Sequence, residues 1–239
     1  MGNSFIRHVR PSGGYLVARS LKRQFDEDWF DPAFWGRRAV PVTAGGRGSA
    51  WFLRRESGDL VLRHFCRGGF PGRFVRREYV YTYPDAVRSF AEFRLLDTLR
   101  QMALPVPEPI AAGYNRRGRI FYHAYLIVRR ISGAQPLSEF ASDANAATWR
   151  AAGACVRRFH DAQVFHADLN LMNIMVSDQV YLIDFDRGKL MSTGNRGDWK
   201  AANIRRLERS LNKCLANLDA GLRARLWAAF LEGYQASDQ

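Results

Sequence analysis

The residues "HADLNLMNIMV" at 166–176 place an acid and an amide at a spacing that constrains the fold. Asp168 and Asn173 are five positions apart, and Asp184 follows eleven residues later within "LIDFD". The apolar runs "IMV" and "YLI" indicate two short neighbouring strands. Since a hairpin brings the ends of its two strands together, we expect Asn173 and Asp184 to lie near each other. The pattern H-x-D-x-x-x-x-N, followed by D-F between apolar residues, therefore predicts a loop whose polar side chains converge.

Converging side chains of this kind suit phosphoryl transfer from ATP. That reaction needs an acid near the acceptor hydroxyl, and an amide and a carboxylate that hold magnesium. Asp168 fits the first role, and Asn173 and Asp184 fit the second as oxygen ligands of one hard cation. His166 is interpreted as a structural residue that braces the loop. The motif thus predicts ATP and Mg²⁺ as cofactors.

The N-terminal half offers candidate residues for nucleotide binding. A glycine-rich turn between two strands allows backbone N–H groups to approach phosphate closely. Arg63, at the end of the alternating strand "DLVLRHF", is a candidate cation for the phosphates. The residues predicted to bind nucleotide in the glycine-rich turn are Gly45, Gly46, Gly48 and Ser49.

A predicted helix at 85–102 carries a carboxylate on its apolar side. Glu92 lies four residues before Leu96 and seven before Leu99, so it faces inward with that stripe. An inward carboxylate needs a cationic partner, and we predict that Arg63 pairs with Glu92.

The order of predicted elements favours an α+β fold of the bilobal protein-kinase-like type. A small N-lobe, residues 1–131, would contain an antiparallel sheet and one helix. A mostly helical C-lobe, residues 132–239, would contain the catalytic loop and the metal site. The further predicted features are an irregular or short helical segment at 15–35, a hairpin turn at Ser57–Gly58, a strand-to-strand turn at "NRRG" and helices at 143–160, 198–218 and 220–234.

The net positive charge of the chain narrows the classes of partner that it could bind. The net charge is +13, and only four of the 36 basic residues are lysines. Arginine grips phosphate and carboxylate groups with two parallel hydrogen bonds, which lysine cannot do. Residues 37–77 hold ten arginines and two acids, so they carry +8 of the total. Such a field suits nucleic acid, an anionic membrane or a phosphorylated substrate.

The sequence also argues against a disordered, a membrane-spanning and a secreted protein. Hydrophobic residues make up 47% of the chain, which is typical of a globular protein. No apolar stretch reaches the ~18 residues of a membrane span, and the N-terminus lacks the apolar core of a secretory signal. Cys66, Cys155 and Cys214 have no metal-binding spacing, so we expect reduced, mostly buried thiols.

Taken together, several blocks of the chain resemble the Kdo kinase family, which phosphorylates 3-deoxy-D-manno-octulosonic acid (Kdo) on the lipid A precursor of lipopolysaccharide. The resemblance extends over nearly the whole chain. It is strongest in "LRHFCRGGFPGR" and "FHADLNLMNIMV", and it includes "TAGGRGSAWFL", "SFAEFRLLDTLRQMALPVPEPIAA", "LIDFDRG" and "DWKAANIRRLERSLNK".

The resemblance implies an ATP-dependent carbohydrate kinase that acts on the 4-hydroxyl of Kdo. By position it implies that Asp168 is the catalytic acid/base, that Asn173 and Asp184 bind magnesium, and that Arg63 replaces the lysine of protein kinases. It also implies peripheral attachment at the cytoplasmic face of the inner membrane. The expected partners are the anionic Kdo–lipid A precursor and an anionic membrane surface, with no nucleic acid.

Alternative functions remain open at the level of sequence. Only eleven residues separate Asp186 from the helix that begins near Asp198, which leaves no room for the peptide-docking segment of a protein kinase. A lipopolysaccharide heptose kinase or an aminoglycoside-type phosphotransferase would use the same fold. A non-catalytic, nucleic-acid-binding kinase-like module is a further alternative, and the intact Asp168, Asn173 and Asp184 argue against it.

Overall fold

A computed structural model describes residues 4–42, 49–66, 78–192 and 197–236. The predicted glycine-rich positions Gly45, Gly46 and Gly48 lie outside these ranges, as does the basic segment 67–77. The chain divides into two compact units. Unit 1 comprises Met1–Thr98 and Glu108–Arg130, and unit 2 comprises Leu99–Pro107 and Ile131–Gln239.

Unit 1 is built on an antiparallel sheet. The eight strands in its described part run in the order β1-β2-β7-β8-β5-β4-β3, and β6 also pairs with β8. Its elements are β1 (Phe5–Arg10), β2 (Gly13–Ala18), α1 (Pro32–Trp35), β3 (Ala39–Pro41), β4 (Ala50–Leu53), β5 (Leu60–His64), β6 (Tyr79–Val80), β7 (Pro109–Arg117) and β8 (Phe121–Arg129), together with α2 (Arg88–Gln101) as far as Thr98.

Both faces of this sheet are covered by apolar side chains. On one face α2 packs against β7, where the Phe90 and Tyr114 rings meet edge to face with centroids 5.3 Å apart. On β5, Leu60 and Leu62 belong to a core cluster with Trp29 and other residues of the segment that precedes β3. Because side chains alternate along a strand, Arg63 leaves β5 on the face opposite Leu62.

The β4–β5 hairpin confirms the predicted pairing of these strands. Leu53 pairs with Leu60 and Ala50 pairs with Arg63. The turn between them contains Gly58 at φ 103°, a left-handed conformation that favours glycine.

Two sequence predictions in unit 1 are wrong: the irregular start of the segment 15–35 and the position of the turn at "NRRG". Residues 15–18 are extended and belong to β2, whose hairpin with β1 was not predicted. In β2, a Cβ on Gly14 would lie 2.6 Å from the His8 carbonyl oxygen, so glycine here permits close strand pairing. The predicted turn at "NRRG" lies later, at 118–120, because Arg117 still pairs with Phe121.

Unit 2 is mainly helical, as the sequence predicts, and the α+β class is confirmed. Its buried aromatic core includes Trp149, Phe159, Phe185 and Phe230. Its elements are β9 (Gln135–Pro136), α3 (Ala146–Asp161), β10 (Val164–Phe165), β11 (Ile174–Val176), β12 (Val180–Leu182), β13 (Lys189–Leu190), α4 (Trp199–Cys214) and α5 (Ala220–Gln235).

Close packing of α3 against α5 forms the frame of unit 2. A Cβ on Gly153 of α3 would overlap the carbonyl oxygen of Phe230, and one on Gly233 of α5 would overlap that of Arg150. On α4, Leu207 and Leu211 are buried in the core. Across the described ranges, no helix combines the length and apolarity that a bilayer crossing requires.

Candidate active site

In unit 1 the predicted ion pair is present. The Nη2 of Arg63 on β5 donates to Oε2 of Glu92 on α2. The Glu92 side chain is only 2% exposed, so its charge depends on this partner. The Arg63 guanidinium also lies over the Phe65 ring, 4.7 Å from its centroid. The pair therefore holds an arginine head group at the end of β5.

In unit 2 the segment 166–173 is a loop that ends in one helical turn, Leu171–Asn173. The Oδ1 of Asn170 caps this turn, accepting from the N–H groups of Met172 (2.9 Å) and Asn173 (3.2 Å). Asparagine is favoured at such a position because its short side chain satisfies N–H groups that have no partner within the helix.

Asp168 is held through its backbone, while its carboxylate remains half-exposed. Two side-chain amides donate to the Asp168 carbonyl oxygen: Nδ2 of Asn170 at 2.9 Å and Nδ2 of Asn173 at 3.0 Å. The Nη2 of Arg206, on α4, donates to Oδ1 of the Asp168 carboxylate. The loop thus fixes the backbone position of Asp168, and Arg206 orients its carboxylate.

His166 is buried and connects the two motifs, as the sequence predicts. Its Nδ1 accepts from the N–H of Asp168 at 3.1 Å, so the proton is on Nε2, which donates to the Ile183 carbonyl oxygen at 2.9 Å. Burial lowers the pKa of His166, opposed by its hydrogen bond to Ile183. A neutral imidazole therefore joins the Asp168 loop to the residue that precedes Asp184.

Asn203 on α4 holds the backbone of His166 on both sides. Its Oδ1 accepts from the His166 N–H at 3.3 Å, and its Nδ2 donates to the His166 carbonyl oxygen at 2.9 Å. Further along α4, the Oγ of Ser210 accepts from the N–H of Leu171 at 3.2 Å. One face of α4 therefore braces the loop at three points: Asn203, Arg206 and Ser210.

Sequence reasoning missed these three bracing residues. Their spacing of i, i+3 and i+7 places them on one side of α4, which is the only signal the sequence gives. Polar residues at this spacing are usually solvated, so the pattern alone does not predict contacts with a loop almost forty residues away.

The hairpin β11–β12 brings the amide and the second acidic motif together. Ile174 pairs with Leu182, and the Ile183 N–H donates to the Asn173 carbonyl oxygen at 3.0 Å. Asp184 follows two residues after β12 with φ 63°, a left-handed conformation that aspartate tolerates better than most residues. Phe185 is buried against His166, with ring centroids 4.7 Å apart, which anchors the segment.

The side chains here fit a magnesium ion. The Nδ2 of Asn173 is occupied by the Asp168 carbonyl, so its Oδ1 is the atom left for a cation. In the described part of the chain, no cluster of three or more His, Cys, Asp or Glu residues could hold a metal alone. Magnesium suits such a site, since it is commonly bound by one or two protein oxygens together with substrate phosphates.

Among the predicted nucleotide-binding residues of the glycine-rich turn, only Ser49 lies in the described ranges. Its carbonyl oxygen accepts from the His64 N–H at 2.8 Å, which extends the β4–β5 pairing by one step. Ser49 is therefore tied by its backbone to the strand that carries Arg63.

Comparison with known proteins identifies the family. Residues 32–234 match the model described as "Lipopolysaccharide kinase (Kdo/WaaP) family". The chain belongs to the lipopolysaccharide kinase (Kdo/WaaP) family. This confirms the resemblance found in the sequence, and membership of a kinase family implies ATP as the phosphoryl donor.

Curated relatives of this lipopolysaccharide-kinase family member are named 3-deoxy-D-manno-octulosonic acid kinase. One, from Xanthomonas axonopodis pv. citri (strain 306), is 44% identical over 214 residues, which cover 88% of this chain and 85% of that protein. Another, from Stenotrophomonas maltophilia (strain R551-3), is 43% identical over 210 residues, covering 87% and 83%. The predicted class, a phosphotransferase, is confirmed.

Solved structures with little sequence identity confirm the fold. The amicoumacin kinase hAmiN, in complex with AMP-PNP, Ca²⁺ and Ami, has a TM-score of 0.61 at 12% identity, covering 91% of this chain and 79% of that chain. WaaP in complex with acyl carrier protein has a TM-score of 0.55 at 15% identity, covering 92% and 88%. The lipopolysaccharide-kinase family member thus has the predicted kinase-like architecture.

Proposed function

We propose that this chain transfers the γ-phosphoryl group of ATP to the 4-hydroxyl of Kdo on the Kdo–lipid A precursor, in the synthesis of the lipopolysaccharide inner core. The proposal depends most on the fixed position of Asp168. Asn170 and Asn173 hold its backbone carbonyl, and Arg206 contacts its carboxylate. The names of the relatives, with more than 40% identity over most of both chains, support Kdo as the acceptor.

Asp168 accepts the proton of the sugar hydroxyl as that oxygen attacks phosphorus. A carboxylate can do so only if it lies within hydrogen-bond reach of the hydroxyl, so a fixed position matters more than high basicity. The two amides on the Asp168 carbonyl fix its backbone, and Arg206 selects the side-chain orientation.

Asn173 and Asp184 are the residues that would hold Mg²⁺, through Oδ1 of the amide and the carboxylate. The ion, when bound, neutralises the phosphate oxygens on which negative charge accumulates. His166 keeps the two ligand-bearing segments in register, because it bonds to Asp168 on one side and to Ile183 on the other.

Arg63 contacts the α- and β-phosphates while Glu92 holds its guanidinium in place. Arginine presents several donors in a fixed plane, so it can bond to Glu92 and to phosphate at once. The backbone N–H groups of Gly45, Gly46 and Gly48, with Ser49, complete the proposed phosphate contacts.

The acceptor places the protein at a membrane. A lipid-linked sugar stays in the bilayer, so we propose peripheral attachment at the cytoplasmic face of the inner membrane, with no nucleic-acid partner. The arginine-rich stretch 37–77 suits the carboxylate of Kdo, the phosphates of lipid A and anionic lipid headgroups.

The decisive experiment combines purified protein, labelled ATP, Mg²⁺ and Kdo-bearing lipid A precursor. We expect a monophosphorylated Kdo, located on the 4-hydroxyl by NMR. The Asp168→Asn variant should bind ATP but lose at least about a hundredfold in kcat, as removal of a general base does. Asp178→Asn, which alters an exposed carboxylate in the same unit, is the matched control.

Two outcomes would contradict the proposal. Near wild-type phosphoryl transfer by Asp168→Asn would show that Asp168 is not the general base. Transfer to a heptose or an aminoglycoside, with none to Kdo, would keep the mechanism and replace the acceptor.

A further inference from the structure

An exposed apolar group of residues lies at and beside the turn between β7 and β8 and is called here the tip cluster: Val80, Ile120 and Phe121. Their exposures are 55%, 59% and 38%. Val80 on β6 pairs directly with Phe121 on β8, so the two side chains lie on the same face as neighbours. Ile120 occupies the turn itself, where its carbonyl oxygen accepts from the Tyr81 N–H at 2.7 Å.

The turn that presents the tip cluster is braced from the opposite face of the sheet. The Nη2 of Arg116 donates to the Arg119 carbonyl oxygen at 2.7 Å, and its guanidinium lies over the Tyr81 ring, 4.4 Å from the centroid. The Arg116 N–H donates to the Ser12 carbonyl oxygen at 2.8 Å. These contacts hold the backbone of the turn, which fixes the positions from which the apolar side chains extend.

Apolar residues are unexpected at such a turn. Tight hairpin turns favour Gly, Asn, Asp and Ser, and β-branched residues such as Ile belong in strands. The buried rings on the other face, Tyr79, Tyr114 and Tyr122, show that this end of the sheet does bury aromatic groups where a partner exists. In the part of the chain that the structure describes, three adjacent apolar side chains are exposed at this end of the sheet, a feature typical of interaction sites.

The charge around the tip cluster is positive. Residues 116–121, which form the turn and its flanks, contain three arginines and no acid. Arg117 pairs with Phe121 across the hairpin, and Arg119 lies next to Ile120 in the turn. In the part of the chain that the structure describes, neither forms an ion pair.

A cavity on the same face of the sheet shows which charged residues lie near Arg117. It has a volume of about 450 Å³, and Arg117 borders it together with Glu27, Asp28 and Asp31. Arg117 therefore shares this cavity with acidic side chains, of which Glu27 pairs with Arg10. Arg119 does not border the cavity, so it is the cation on which electrostatic attraction at the tip mainly depends.

We propose that the tip cluster inserts into the interface of an anionic lipid bilayer, with Arg119 beside the headgroup phosphates. This inference rests on the proposed function, in which the acceptor is lipid-linked. Apolar side chains flanked by arginine suit the headgroup boundary, where the side chain is buried and the guanidinium stays with phosphate. A second protein is a poorer partner, since three side chains on a convex turn cover far less than the ~1,000 Å² that a stable protein interface needs.

The test is co-sedimentation of the full chain with vesicles of phosphatidylcholine, with or without phosphatidylglycerol. Wild type should bind the anionic vesicles, and Ile120→Ser/Phe121→Ser should bind about tenfold or more weakly. Arg119→Gln should weaken binding at low salt and have little effect at high salt. Phe34→Ser, which alters an exposed ring elsewhere in unit 1, is the matched control and should bind as wild type does.

A second measurement separates docking from catalysis. Phosphorylation of free Kdo monosaccharide should be unchanged in Ile120→Ser/Phe121→Ser, while phosphorylation of vesicle-borne Kdo–lipid A precursor should fall. Failure to phosphorylate any Kdo compound would refute the proposed function and leave the vesicle result standing. Unchanged vesicle binding by the double variant would overturn the tip cluster as the docking surface. A concentration-dependent dimer of wild type that the variant loses would also overturn it, in favour of a second copy.

Discussion

The guanidinium of Arg206 contacts the carboxylate of Asp168 across thirty-eight residues of sequence. The loop 166–173 contains no Lys or Arg, so α4 supplies the cation that the loop lacks. Arg206 thus acts as a positioning residue for the proposed base.

Arg206→Ala should lower kcat by about 10- to 100-fold with little change in the KM for ATP, because it misplaces the base and leaves the nucleotide contacts intact. Arg206→Lys should recover part of this loss. Steady-state kinetics with Arg205→Ala as the control measures the effect, since Arg205 is a neighbouring exposed arginine that pairs with Asp198. A kcat within twofold of wild type in Arg206→Ala would exclude the positioning role.

The local parts of the site were predictable from sequence, and the long-range parts were not. The spacing of Asp168, Asn173 and Asp184 predicts a loop and a hairpin because such elements depend on residues close in the chain. The inward position of Glu92 follows from helical periodicity, and the need to neutralise a buried carboxylate identifies Arg63.

The bracing face of α4 could not be predicted in this way. Asn203 and Arg206 are polar residues on a helix, and periodicity alone favours solvent for them. Their contacts depend on how α4 packs against the loop, which is a tertiary property. The hairpin β1–β2 was missed for a related reason, since the close strand pairing that Gly13 and Gly14 permit is visible only once the strands are placed together.

A second prediction concerns the double hydrogen bond between Asn203 and His166. Asn203→Ala would leave a buried N–H and a buried C=O of His166 without partners, at a cost of about 1–3 kcal/mol. Arg205→Ala, which removes an exposed side chain on the same helix, is the control and should cost less. Chemical denaturation measures the free energy of unfolding, and equal stabilities of the two variants would contradict this assignment.

A third prediction separates the structural and functional roles of the Arg63–Glu92 pair. Arg63→Ala removes the ion-pair partner of a carboxylate that is only 2% exposed, so it should destabilise unit 1 by about 3–5 kcal/mol. The double variant Arg63→Met/Glu92→Leu removes both charges and should recover most of that stability. If Arg63 binds phosphate, the double variant should still have no measurable turnover. Recovered turnover in the stable double variant would restrict the pair to a structural role.

The last prediction is an acid sensitivity that originates at His160, near the end of α3. Its side chain is buried, its Nδ1 lies 2.7 Å from the Tyr234 hydroxyl, and its ring meets Trp199 edge to face. Burial lowers the pKa of His160 to about 4, from a model-compound value of 6.5, opposed by a hydrogen bond with Asn203. These contacts make His160 a packing residue at the end of α3.

Because the folded pKa is lower than the unfolded pKa, the unfolded chain binds a proton between pH 6.5 and about 4 while the native chain does not. The contribution to stability is therefore complete above pH 6.5 and is lost as the pH falls towards 4, by up to about 3 kcal/mol. His166 acts in the same direction, since burial also lowers its pKa. His160→Gln should flatten the dependence of the free energy of unfolding on pH, measured by urea denaturation from pH 7.5 to pH 4.5. His8→Gln, which removes an exposed imidazole on β1, is the control and should retain the wild-type slope, whereas an equally steep slope in His160→Gln would assign the acid sensitivity to other groups.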